Sequence, residues 1–323
     1  MQLGLTFAQD NVSESASDYE SVRSDTTSVT SSIFDYTFEN GHRYHAYRAG
    51  QYLLPNDESE QDRLDLQHHI FTLVLGGELM VTNLDEPHRI LDAGTGTGIW
   101  AIEVADRYPS ATVHGVDLSA IQPNWVPPNV LFEIDDLTQE WTWPVDYFDF
   151  IHVRTLGGAI KDWPQFLGQA LKHLKPGGRI EISEIRTHFH CDDGTFPDDC
   201  YRYVEKQKTF HDIAKNIGLQ FDQMPYMAGW VQDAGFTEVK EHERLIPIGP
   251  WPKSKRQKEV GLYYRIHLLE GGMENYTMAL FTRNGWSQLE VQVLLAKVRQ
   301  EVTSNKMHTY TKAIFVTGQK PLE

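Results

Sequence analysis

Apolar and polar positions change their period along the chain. Residues 8–32 have no period: "SESASDYESVRSDTTSVTSS" is built of Ser, Thr, Asp and Glu with few large apolar side chains. Such a stretch buries too little surface to offset its ordering entropy, so a disordered tail is expected over residues 1–35. Over "ESEQDRLDLQHHIFTLVL", Leu64, Ile70, Leu73 and Val74 fall at helical spacing, with Asp57 as the cap and Gly76-Gly77 as the stop. From Arg89 onward, short apolar runs alternate with helical stretches. The runs "RILDAG", "TVHGVDLS", "VLFEIDDL", "FDFIHVRTL", "RIEISEI", "TEVKEHERLIPIG" and "YTKAIFVTGQKP" predict seven strands. Between them, "GIWAIEVADRYP", "DWPQFLGQALKHLKPGG", "YMAGWVQDAGF" and "SQLEVQVLLAKVRQEV" predict helices. Strand and helix in alternation mean an α/β fold with a parallel sheet covered on both faces. Residues 249–286 interrupt the series with a mixed, mainly helical insertion, expected to lie as a lid beside the carboxyl ends of the strands.

Composition narrows the partners. The chain has 323 residues, 40% of them hydrophobic, and a net charge of −16 from 29 Lys and Arg against 45 Asp and Glu. That acidity makes sequence-independent nucleic-acid binding unfavourable. The one dense basic run, "PKSKRQK", reads as a solvated helix start. Two cysteines, Cys191 and Cys200, are too few for a disulfide framework. The opening "MQLGLTFAQD" lacks the features of a secretory signal, and no apolar run is long enough for a membrane span. The expected compartment is the cytoplasm, with the nucleus as the alternative.

The chemistry concentrates in "RILDAGTGTGIW". In open parallel sheets, ligands sit beyond the carboxyl ends of the strands, where the first strand turns into its helix. A dinucleotide fingerprint would need a third glycine at position 99, which is Ile99, and no Gly-Lys-Ser/Thr follows for a phosphate loop. The ligand should therefore need close backbone approach without a phosphate. Asp92 at the strand tip asks for a positive end. Asp117 at the end of the second strand can accept two ribose hydroxyls. Asp135 and Asp136, closing the third, can accept from the exocyclic amine of a base. Ammonium, ribose and adenine together describe S-adenosylmethionine.

The four segments "ILDAGTGTGIWAIEVADRYP", "VHGVDLS", "FDFIHVRTL" and "LKPGGRIEISEI" resemble, in order and spacing, the motifs of class I methyltransferases. "FENGHRYHAYRAGQYLLPNDESEQDRLDLQHH" further resembles the fungal LaeA-like group, which holds regulators of secondary metabolism and tailoring enzymes. The resemblance implies a Rossmann-like fold of seven strands, mostly parallel, with an antiparallel last strand. It makes residues 36–323 the methyltransferase domain, with 36–80 as an N-terminal cap segment. Carried onto this chain, it implies that Gly94, Thr95 and Gly96 line the methionine portion and that Asp92 orients the ammonium. Asp117 would hold the ribose, with Leu118 on the adenine; Asp136, with Asp135, would face the amine and Leu137 the ring. Val153 and Arg154 would border the sulfonium. Tyr44, Tyr47 and Tyr52 are candidates to close over the cofactor, the last two also to touch substrate.

Methyl transfer needs alignment and water exclusion more than a covalent residue. Glu184 at a strand tip and His188 just after it are the candidate bases, while His152, within a strand, reads as a core histidine. Trp251 and Tyr264 in the insertion are candidate acceptor contacts, and no metal is expected. The implied activity is methylation of a small molecule, a fungal secondary metabolite. The alternative is a nuclear regulator of secondary metabolism acting in a complex with a velvet-type protein.

Overall fold

A computed structural model describes residues 36–45, 54–196 and 201–323. The tail expected over 1–35, with Tyr47, Tyr52 and Cys200, lies outside the described residues. The chain opens on a hairpin, β1 (Tyr36–Glu39) and β2 (His42–His45). Its turn holds Asn40 and Gly41 at φ 53° and 85°. Positive φ at both central residues gives the strand twist a two-residue connection, and Asn-Gly is the pair best suited to it.

Helix α1 (Glu58–Leu75) follows, capped as its sequence predicts. The Asp57 side chain accepts from the Glu60 amide at 3.0 Å, and Gly76 closes the helix at φ 79°. The core sheet has seven strands: β3 (Arg89–Ala93), β4 (Thr112–Asp117), β5 (Val130–Ile134), β6 (Phe148–Arg154), β7 (Leu174–Ile185), β8 (Thr237–Pro247) and β9 (Tyr310–Gln319). Their spatial order is β5-β4-β3-β6-β7-β9-β8. The pairs among β3 to β7 are parallel, whereas β9 runs antiparallel to both of its neighbours. The sheet thus has the expected seven strands and the expected reversed last strand.

Its central strands are buried on both faces: Ile90, Leu91, Phe150, Ile151 and Val316 are fully buried. Each such side chain contributes about 1.5–3 kcal/mol relative to exposure. Helix α2 (Ile99–Arg107) packs on Ile90 and Phe150 on one face of the sheet, while α3 (Trp163–His173) and α5 (Met224–Asp233) pack on Leu91 and Ile151 on the opposite face. Helix α3 stops at His173, earlier than Pro176 suggests, because Leu174 already pairs with Phe148 as the first residue of β7.

The face that α2 covers also carries α1, α4 (Tyr201–Asn216), α6 (Lys255–His267), α7 (Met273–Thr282) and α8 (Gln288–Thr303), packed around Phe71, Phe281 and Phe315. Between α6 and α7, a turn at Leu268–Gly272 bends sharply, with Gly271 at φ 113°. The basic run is indeed the start of α6. Its Arg256 reaches across to donate to the Leu73 and Val74 carbonyls at 2.9 Å each, at the end of α1 where partial negative charge collects. Among the described residues, no helix is long and apolar enough to cross a membrane.

Candidate functional site

The turn after β3 shows why three glycines stand there. Gly94, Gly96 and Gly98 have φ of 76°, 58° and 81°, where side chains other than glycine are strained. Two of the three are also crowded. A Cβ on Gly94 would lie 2.4 Å from Leu156 Cδ2, and one on Gly98 would lie 2.3 Å from Phe132 Cζ. Only Gly96 faces space, with Leu64 Cδ1 at 3.5 Å as the nearest atom. Gly94 and Gly96 both line the cleft, and of the three glycines Gly96 has the most room beside it, while Gly98 packs on Phe132.

Asp92 is buried beneath this turn. Its Oδ2 accepts from Thr95 Oγ1 at 2.7 Å, and its Oδ1 pairs with His152 Nδ1 at 2.8 Å. His152 is a core histidine, as expected, and stacks on Trp100 with ring centres 3.6 Å apart. Asp117 accepts from the Gly96 amide at 2.9 Å and the Ser119 amide at 3.0 Å. Burial pushes its carboxyl up, and those two amides oppose the shift. Each Asp117 oxygen keeps a lone pair, so the group can still receive two hydroxyls.

A cleft runs along the carboxyl ends of β3, β4 and β6, lined among others by Gly94, Gly96, Asp117, Ser119 and Arg154. Arg154 is bordered by His68 Nδ1 at 3.2 Å and lies over the Phe71 ring at 5.2 Å. Among the described residues it makes no close carboxylate pair. Burial holds its guanidinium down at about 10 against the fields of Asp92, Glu103 and Glu181. A half-paired cation facing the cleft is a natural partner for an anionic group. The same cleft contains Thr155 at φ 54°, an uncommon conformation for a β-branched residue.

A second, largely apolar cavity adjoins the cleft. Phe189, Phe210, Phe221, Leu268 and Met273 line it, with Glu184, Arg186, Tyr264 and His267 among its polar members. Tyr276 of α7 lines both spaces. The Glu184 carboxylate accepts from the Gly157 amide at 2.9 Å and its neighbour Ile185 at 3.2 Å. Burial nevertheless drives its carboxyl up to about 8, and Asp222 adds to the rise. That value suits a group that exchanges a proton near neutral pH.

The remaining sequence candidates divide. Tyr264 is buried in the cavity wall, where burial also raises its hydroxyl. Leu137 and Val153 are buried and Leu118 is half-buried. Asp136 is buried and accepts from the Thr138 amide and hydroxyl at 2.9 and 2.6 Å, whereas Asp135 is exposed. Neither is in the cleft lining.

His188, expected as a base, is not a cavity residue. Its neighbours Thr187 and Phe189 line the cavity. The His188 ring lies instead against Asp222 at 2.9 Å and the His211 ring at 4.8 Å. Trp251 is also outside the cavity wall, donating to the Thr309 carbonyl at 2.9 Å and stacking on His308. Tyr44 is buried under Arg283, 5.8 Å from its ring centre, and does not border the cleft.

The sequence analysis missed Glu60, Arg63, His267 and Tyr276. Arg63 is fully buried and forks onto Glu60 with two 2.7 Å bonds, while Asn275 donates to Glu60 at 2.6 Å. No local motif announces this group, because its members come from α1, α6 and α7.

The chain is similar in sequence to known methyltransferases and regulators. A family model described as a methyltransferase domain matches residues 66–241. Methyltransferase pytC of Aspergillus terreus is 42% identical over 301 residues, covering 91% of each chain. Secondary metabolism regulator LAE1 of Cochliobolus heterostrophus is 37% identical, over 88% of this chain and 94% of its own. Protein-methionine methyltransferase laeA of Emericella nidulans is 36% identical, over 88% of this chain and 76% of its own.

Proposed function

Because the chain belongs to the methyltransferase family, we propose that it methylates a small, mainly apolar molecule held in the cavity beside Glu184, with S-adenosylmethionine as the methyl donor. The observation that carries this reading is Tyr276, a single side chain shared by the polar cleft and the apolar cavity. Two spaces that share one side chain suit transfer of a small group from an occupant of one to an occupant of the other.

Residues in and beside the cleft fit the cofactor's parts. Gly96 leaves its backbone approachable. Asp117 receives the ribose hydroxyls, Asp136 the adenine amine, and Arg154 the carboxylate; Asp92, fixed by His152 and Thr95, sets the field for the ammonium. When bound, the cofactor supplies a methyl group on a positively charged sulfur. Helices α6 and α7 act as the lid that keeps water from the junction. For a hydroxyl acceptor, Glu184 takes the proton onto its carboxylate. With its carboxyl at about 8, activity should rise with pH toward that value.

The test is incubation with methyl-labelled S-adenosylmethionine and metabolite extract from a strain lacking the protein. Label in a small organic product supports the reading. Label confined to protein would support the second reading, favoured by the relatives named as regulators and as a protein-methionine methyltransferase. In that case a side chain such as methionine enters the cavity, and co-purification with a velvet-type regulator from nuclei is expected.

A further inference from the structure

His267 is the last residue of α6, and it is buried in the cavity wall. Its Nε2 lies 2.7 Å from Arg63 Nη1. A guanidinium can only donate, so Nε2 must be the acceptor and carry the lone pair. The ring is therefore neutral, with its proton on Nδ1. Burial, reinforced by the Arg63 charge, keeps it neutral well below the usual imidazole range. Arg63 itself is fixed by Glu60, and Glu60 by Asn275, so the tautomer is set by a rigid chain of bonds.

Nδ1 is buried and has no hydrogen-bond partner among the described residues. Its surroundings are shaped around glycine. A Cβ on Gly272, another cavity residue, would come within 3.0 Å of Nδ1 and 2.6 Å of the His267 carbonyl. A buried donor of this kind is costly to leave unmade. The other charged groups of the cavity are accounted for. Arg186 is bound by two bonds to Asp222, at 3.0 and 2.7 Å, and burial favours the neutral form of Glu184.

We propose that the His267 Nδ1–H is a substrate-recognising donor, and that the acceptor molecule is uncharged and carries a carbonyl oxygen that docks on it. The inference rests on the methyl-transfer reading only for the word acceptor; the binding site itself stands on the cavity. An sp² oxygen suits the position because it accepts in the plane of its own group and brings no proton that would need a further partner. Shape alone discriminates weakly in an apolar cavity, whereas an unpaired buried donor rejects a ligand lacking the matching oxygen.

The probes are 1-tetralone and tetralin, which share a bicyclic frame and differ in the carbonyl. Binding to the full chain is followed by calorimetry and by ¹⁵N-histidine spectra. The expected result is binding of tetralone about tenfold tighter than tetralin, with a shift of the His267 Nδ1–H signal. His267→Phe should erase the difference. His267→Gln, which keeps an acceptor for Arg63 and an N–H for the ligand, should restore most of it, guarding against a merely misfolded variant. Equal affinity for the two probes in the wild type, absence of binding by both, or a proton found on Nε2 would each overturn the proposal. S-adenosylhomocysteine is titrated separately. Failure there would count against the methyl-transfer reading and leave the tetralone result standing.

Discussion

Replacing Glu184 with Gln sets stability against activity in one microenvironment. Burial lifts the carboxyl from its ordinary 4.5 to about 8. The unfolded chain therefore ionises this group above pH 4.5, and the native chain only above about 8. Between those limits the native state holds the extra proton. Wild-type stability from this group is whole below pH 4.5 and falls as pH rises, by about 1.4 kcal/mol per unit, until about pH 8. Gln does not ionise and escapes that loss, a gain of about 3 kcal/mol at pH 7. Part is given back, since Glu184 accepts from the amides of both Gly157 and Ile185. A Gln oxygen can serve only one of them, at a cost of about 1 kcal/mol. The variant should thus be about 2 kcal/mol more stable at pH 7 and no more stable at pH 5. Urea unfolding followed by circular dichroism at pH 5, 6, 7 and 8 measures this. Methylation of a hydroxyl acceptor should fall by about 10²–10⁴-fold. A variant less stable than the wild type at pH 8, or a difference that does not grow between pH 5 and 8, would refute the assigned burial of this carboxyl.

Gly98→Ala places a methyl group against Phe132 at a positive φ. It should cost about 3 kcal/mol and lower the melting temperature by roughly 6–10 °C, whereas Gly96→Ala, facing open space, should cost about 1 kcal/mol in calorimetric melts. Thr155→Gly relieves a β-branched residue at φ 54° and should stabilise the fold by about 1 kcal/mol in urea titrations, with slower methyl transfer. Arg154→Met removes the cleft's half-paired cation and should weaken S-adenosylhomocysteine by about tenfold or more in calorimetry. His188→Ala should leave kcat within about twofold, because its ring faces Asp222 and His211 rather than the cavity.

The central strands were legible because they are buried on both faces and read as apolar runs between turn residues, whereas the edge strand β8, charged and mostly exposed, shows apolar residues chiefly at its end. The cleft was legible for a related reason: one glycine-rich turn and the tips of neighbouring strands supply much of its lining. Helix α4 was not read, because Phe210 and Ala214 are the buried apolar positions described within a polar, charged stretch. The first hairpin did carry a signal, the Asn40-Gly41 pair, which sequence reasoning passed over for its aromatic neighbours. The acceptor side was least legible. His267 and Arg63 meet across 204 positions, and no periodicity encodes such a meeting. His188 was weighed by residue type alone, without Asp222 and His211, which hold its ring.

One consequence concerns synthesis of the chain. Strand β8 is joined to the sheet only through β9, which lies between it and β7 although it is made later. A nascent chain that has reached residue 309 thus has a growing sheet whose β7 side is unpaired and a β8 with no strand to pair with. Exposed strand flanks of that kind invite pairing with other chains. Premature stop codons shortly before Tyr310 should accordingly yield insoluble product rather than a slightly weakened enzyme, and the demand for chaperone shielding should be greatest just before the final strand leaves the ribosome.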